Sequence, residues 1–145
     1  MENRFLVKGP VTPEIIGAYL LEMGKRTDSG GHSIFMGQVR DDQSGEGRVK
    51  EIEYSAYEDM VAAEAEKIIR ITREAFSDVK LIEILHATGT VKCGEISLFV
   101  MVTAGHRDQA MRACRHIVEM IKLNYPVWKK EILDNDSHRW RENEH

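Results

Sequence analysis

Met120-Ile-Lys-Leu-Asn-Tyr-Pro-Val-Trp-Lys-Lys-Glu131 begins as a helix and cannot continue as one. Upstream, Ala110, Cys114, Ile117, Val118 and Ile121 recur at helical spacing, while Arg112, Arg115, Glu119 and Lys122 fall off that stripe. Pro126 lacks the N–H that the next helical turn needs, and it biases Tyr125 towards extended backbone. The chain must therefore leave as a short strand or irregular segment carrying Trp128, Lys129 and Lys130. Three ammonium groups thus flank a forced bend beside an indole. Such an arrangement suits an anionic ligand or a lysine with a chemical task. Lysines that only complement the helix dipole in water are the commoner reading of the same residues.

The chain of 145 residues is long enough to bury a real core and is most simply one domain, residues 1–145. A formal net charge of −4 disfavours a dedicated nucleic-acid binder. No apolar run is long enough to span a bilayer, and Met1-Glu-Asn-Arg4 lacks a signal-peptide pattern, so a cytoplasmic protein is expected. Cys93 and Cys114 form no metal or redox motif, and Cys114 on the apolar stripe reads as a packed, reduced thiol.

Outward from the bend, Phe5 and Val7 belong to a short first strand ended by Gly9-Pro10. Thr12-Pro13-Glu14 reads as a helix start, with Ile15, Ile16, Tyr19, Leu20 and Met23 on one face and Gly24 as the stop. Ser33 to Val39 is apolar on both alternations, which predicts a strand covered on both sides. Asp41 to Arg48, with two glycines, reads as a mobile loop. Ile52, Tyr54 and Ala56 give the next strand one buried face. A helix then starts between Ser55 and Met60 and buries Val61, Ala65, Ile68, Ile69, Thr72 and Phe76. Two apolar strands follow, Val79 to His86 and Ile96 to Val102, separated by a turn around Lys92-Cys-Gly94. The expected order is β-α-β-β-α-β-β-α-β, a single α+β domain with a mainly antiparallel sheet.

Gly105-His106-Arg107 stands where a strand ends and a helix begins, a place where free N–H groups and the dipole favour phosphate. A helix start whose charged side chains point to water fits the same residues. Arg40 follows a strand directly and precedes the flexible loop, as a fixed cation under a lid or as an ordinary surface arginine. His32, His86, His116, His138 and His145 show no metal-ligand spacing, and no nucleotide-binding loop or nucleophile elbow is present.

Taken together, Phe35-Met-Gly-Gln-Val-Arg40, Val91-Lys-Cys-Gly-Glu95, Gly105-His-Arg107 and Lys122-Leu-Asn-Tyr-Pro-Val-Trp-Lys-Lys-Glu131 resemble the large, catalytic subunit family of molybdopterin synthase, in order and along nearly the whole chain. The resemblance implies an α/β hammerhead-type domain with an additional antiparallel sheet. It also implies sulfur transfer to cyclic pyranopterin monophosphate, yielding molybdopterin for molybdenum cofactor synthesis. Sulfur would arrive as a thiocarboxylate on the C-terminal glycine of a small ubiquitin-like partner, with two large subunits forming a central homodimer. No metal or flavin cofactor is implied. By the same resemblance Lys122 and Lys129 match the catalytic lysines. Arg40, His106 and Arg107 match substrate-pocket positions, the last two expected from the neighbouring protomer, and Arg139 is a further substrate-binding candidate. Lys129 rather than Lys130 is chosen by the resemblance alone. The pattern is broken at Met111, where an aromatic is expected, and at Ala87-Thr88, where a more basic strand end is expected. A competing reading keeps the scaffold as a non-enzymatic module binding a phosphorylated pterin or a ubiquitin-like tail. An RNA-binding role is disfavoured by the acidic balance and by the lack of an aromatic stacking platform.

Overall fold

The computed structural model describes residues 3–141, so His145 and the first two residues of the N-terminal pattern lie outside the described residues. In chain order the elements are β1 (Leu6–Lys8), α1 (Pro13–Met23), β2 (Gly31–Gln38), β3 (Gln43–Ser44), β4 (Gly47–Ala56) and α2 (Glu58–Ala75). They continue with β5 (Val79–Lys92), β6 (Ile96–Ala104), α3 (Arg107–Asn124), β7 (Val127–Leu133) and β8 (His138–Arg141). The strands follow the spatial order β2-β6-β5-β4-β7-β8, with β1 beside β5 and β3 beside β4. Every pairing is antiparallel except that of β1 with β5. The architecture is therefore α+β, as the sequence predicts.

Strand β5 joins two parts of the sheet. From Val79 to His86 it pairs with β6; from Gly89 to Lys92 it pairs with β4. The change of partner falls at Ala87–Gly89, where β1 lies alongside and Ala87 is fully buried. Gly89 has φ +78°, a backbone setting that a side chain resists. By apolar pattern the strand is expected to end at His86, because Ala87-Thr-Gly-Thr90 carries no apolar alternation. Main-chain pairing nevertheless carries it on to Lys92.

Helices cover both faces of the central strands. Helix α1, capped by the Thr12 hydroxyl accepting from the Ile15 N–H at 3.3 Å, packs with Val11, Met23, Leu85, Phe99 and Met101. Tyr19 stacks on Phe99 with centroids 5.4 Å apart. Leu20, expected on this packed face, is exposed. Helices α2 and α3 form the larger core, in which Val61, Ala65, Ile68, Ile117 and Ile121 meet Ile84, Val100 and Val102. Helix α2 begins at Glu58 after Tyr57, which leaves Ser55 in β4 opposite Trp128. None of these helices is long and apolar enough to cross a membrane among the described residues.

Three readings need correction. Strand β2 lies at the edge of the sheet, and Ile34, Phe35 and Met36 are exposed, so its apolar alternations are not covered on both sides by this chain. Asp41 to Arg48 folds back as a small hairpin instead of an open loop: β3 pairs with β4, Val49 N–H donates to Asp42 at 2.9 Å, and the Arg48 N–H bonds the Asp134 carboxylate at 3.0 Å. The polar tail forms β8, a strand missed because charged and aromatic residues occupy all its positions.

Gly89→Ala tests the bend in β5. A Cβ there meets nothing closer than the Gly9 nitrogen at 4.0 Å, so the expected loss of about 1–2 kcal/mol reflects backbone conformation alone. Urea unfolding measures it.

Candidate functional site

Helix α3 closes with the Tyr125 N–H donating to Ile121 O at 3.0 Å. Tyr125 then turns to φ −67°, ψ 128°, and the departing strand starts at Val127, directly after Pro126. Tyr125 and Val127 are buried on either side of the proline, which fixes the bend in the core. Lys122 lies in the last helical turn. On β7, side chains alternate between faces: Val127, Glu131 and Leu133 are buried, and Lys129 shares their side. Lys130 projects to the other side, 3.8 Å from Glu53 and 5.6 Å from the centre of the Trp140 ring. The strand pleat thus separates the two lysines that the sequence left equivalent.

Lys122 and Lys129 line one cavity of about 510 Å³, together with Arg40, Tyr54, Glu131 and Arg141. It opens between the end of β2 and the surface formed by β4, β7 and β8, where Lys129 lies opposite both Tyr54 and Arg141. Arg40 forms an exposed ion pair with Asp42 at 3.1 Å. Lys122 forms no ion pair among the described residues. An anion entering here would meet cations contributed by a helix end, two strands and a loop.

Beside this wall is His86, which is 6% exposed. Its Nδ1–H donates to the Ala87 carbonyl at 2.7 Å, and its ring packs against Tyr54 and Tyr125 at 5.3 and 6.2 Å. Burial pushes its pKa down to about 4; the Ala87 carbonyl opposes this, while the charges of Lys122 and Lys129 add to it. The imidazole is therefore neutral near pH 7 and adds no charge to the site. Burial also raises the Tyr54 and Tyr125 hydroxyls, so both stay protonated.

The remaining residues expected at the site lie elsewhere. His106 caps α3 and is highly exposed; Asp78 Oδ2 accepts its backbone N–H at 2.8 Å and lies 3.3 Å from its Nδ1. A protein carboxylate thus already takes one N–H that the sequence reading offers to phosphate. Gly105 is needed there, because a Cβ would come 2.5 Å from Asp78 Oδ1. Arg107 packs against Gly31, at the end of β2 remote from Arg40. Eight residues of strand span about 23 Å, so the His-Arg pair and the lysine cavity are far apart within one chain. Arg139 reaches Ser44 Oγ at 3.5 Å and does not line the cavity. Arg141 does, and the sequence reading missed it. Cys93, at the turn after β5, donates to Val49 O at 2.9 Å; burial, with Asp41 and Asp42, raises its thiol.

A family model described as MoaE protein matches residues 12–124. The molybdopterin synthase catalytic subunit of Oryza sativa subsp. japonica is 40% identical over 115 residues, covering 79% of this chain and 58% of the rice protein. That of Dictyostelium discoideum is 36% identical over 117 residues, covering 79% of this chain and 73% of its own. The chain thus spans little more than half the length of its rice relative. Among solved structures, molybdopterin synthase from Staphylococcus aureus superposes with a TM-score of 0.83 at 28% identity, covering 97% of this chain and 98% of that one. A complex of subunits 1 and 2 of the Helicobacter pylori molybdopterin-converting factor shares the fold, with a TM-score of 0.78 at 22% identity over 93% and 87% of the two chains.

His86 generates a pH prediction. Its pKa is about 4 in the folded protein against 6.5 for a solvated histidine, so between those values the unfolded chain binds the extra proton. The stability contributed by its neutral burial is complete above about pH 6.5 and lost as pH falls towards 4. Between pH 7 and 5, wild type should lose about 2 kcal/mol more than His86→Gln in urea unfolding.

Proposed function

The chain belongs to the MoaE protein family, and we propose that it is the catalytic subunit of a molybdopterin synthase. In this reading the 145 residues act as one cytoplasmic domain. The substrate is cyclic pyranopterin monophosphate, and the sulfur donor is the thiocarboxylated C-terminal glycine of a small ubiquitin-like partner. The observation that carries the reading is the convergence of Lys122, Lys129 and Arg40 on one cavity across the Pro126 bend.

The chemistry suits these side chains. A carboxy-terminal tail is anionic and thin, so it can reach a cavity walled by ammonium groups. Attack by its sulfur on a carbon bearing the cyclic phosphate forms a C–S bond and breaks that carbon's C–O bond, which opens the ring; water then cleaves the acyl–sulfur bond and frees the tail as a carboxylate. Charge that develops on the leaving phosphate oxygens is stabilised by fixed cations. Lys122, close to the neutral His86 and without an ion pair among the described residues, is placed for electrostatic and acid–base work on the tail. Lys129 faces it from the strand.

A second copy of the chain completes the site. Strand β2 is an open edge with exposed Ile34, Phe35 and Met36. His106 and Arg107 lie at one end of it and Arg40 at the other. Antiparallel pairing of two β2 edges about a two-fold axis would bring the His-Arg pair of one protomer towards the cavity of its partner. This supports the homodimer, and a role for His106 and Arg107 across it.

The test is a single-turnover assay with cyclic pyranopterin monophosphate and the thiocarboxylated small subunit. Wild type should form molybdopterin, and Lys122→Ala should be slower by about a hundredfold or more. A folded wild-type complex that binds its partner yet forms no product would instead favour a binding module.

A further inference from the structure

Strand β8 adds an arginine to the cavity that no motif singled out. Lys129 and Arg141 lie directly opposite each other on antiparallel β7 and β8, and directly opposed residues project to the same side of a sheet. Arg141 thus shares the cavity wall with Lys129, Lys122 and Arg40.

Its position is set by Glu131. Arg141 Nη1 donates to Glu131 Oε2 at 3.2 Å, and the Ser44 hydroxyl donates to Oε1 at 2.8 Å. The Glu131 side chain is 5% exposed, against 43% for Arg141. A carboxylate taken out of water is tolerated only with a well-placed cation and donors on its oxygens. Glu131 therefore holds the guanidinium at the cavity rim, while Ser44 ties the β3–β4 hairpin to the same carboxylate. Arg139, two residues earlier, approaches Ser44 instead. Among the described residues the charged groups on the wall are four cations, Arg40, Lys122, Lys129 and Arg141, and two carboxylates, Asp42 and Glu131. Each of these two carboxylates is matched by one arginine.

We propose that Arg141 is a phosphate-binding residue of this cavity and that Glu131 is its positioning residue. The inference rests on the reading of the cavity as a phosphopterin site. A guanidinium has five donors in a planar fork, so it can hold a buried carboxylate and still engage phosphate oxygens in pairs. An ammonium group acts as a point charge. The arrangement divides the work: Arg141 holds the phosphate, and the two lysines face the incoming tail and the reacting carbons.

The experiment measures Kd for cyclic pyranopterin monophosphate by calorimetry in the complex with the small subunit lacking its thiocarboxylate sulfur, and the single-turnover rate in the complex with the thiocarboxylated one. Arg141→Ala should weaken binding about tenfold or more and also slow the step at saturation, because the phosphate oxygens it holds gain charge as the ring opens. Arg141→Lys should recover part of the affinity, and Glu131→Gln should lose part of it with Arg141 still present. The Lys variant keeps a cation beside Glu131, so it serves if Arg141→Ala does not fold. Unchanged Kd in folded Arg141→Ala, or no difference between wild type and Arg141→Lys if only that variant folds, overturns the proposal while leaving the function reading intact. A wild-type complex that binds the phosphopterin without turnover sinks the catalytic reading, and the Kd comparison still decides Arg141. A wild-type complex that does not bind it at all sinks both.

Discussion

The bend at Tyr125–Pro126 is the constraint from which the site follows. A proline cannot supply the hydrogen bond that would extend α3, so the chain must turn out of the helix. Burial of Tyr125 and Val127 on its two sides makes the direction of that turn a property of the core. One side chain in the last helical turn and one in the following strand thereby reach the same cavity. Since β7 lies between β4 and β8, the strand leaving the bend also brings the Tyr54 and Arg141 positions beside Lys129.

Around this bend the protein separates two kinds of buried polar group. His86 is packed between aromatic rings and stays neutral, giving the cavity a shaped wall without further repulsion between it and the lysines. Glu131 is buried too, but with a hydroxyl and a guanidinium on its two oxygens. The first arrangement limits positive charge where two ammonium groups already gather; the second fixes a cation in place. Both depend on distant parts of the chain meeting, since Ser44 and Glu131 are 87 residues apart.

Local physics made much of this legible. The Thr12 cap, the stripes of α2 and α3 and the forced end at Pro126 are short-range effects, and they appear where spacing predicts them. Strand β2 shows the limit. Its apolar alternations encode covering surface, but sequence alone does not say whether that surface belongs to the same chain. β5 beyond His86 and β8 were hidden because main-chain pairing, not apolar burial, holds them. For the same reason Arg141 went unread, although Arg139 and Arg141 share one alternation and His138 and Trp140 the other. The resemblance picked out Lys129, and only the pleat of β7 supplies the geometric reason. His106 and Arg107 share a helix start as expected, yet lie far along β2 from the lysines, a separation that no local pattern contains.

In the proposed function the anionic tail of a small ubiquitin-like partner enters the cavity between Lys122 and Lys129. A crystal structure of the chain bound to that partner shows where the tail lies. The terminal glycine carbonyl carbon is expected within about 3–4 Å of Lys122 Nζ, with Lys129 on the facing wall. A tail seated on the opposite face of the sheet, over Tyr57, Trp128 and Trp140, would contradict it.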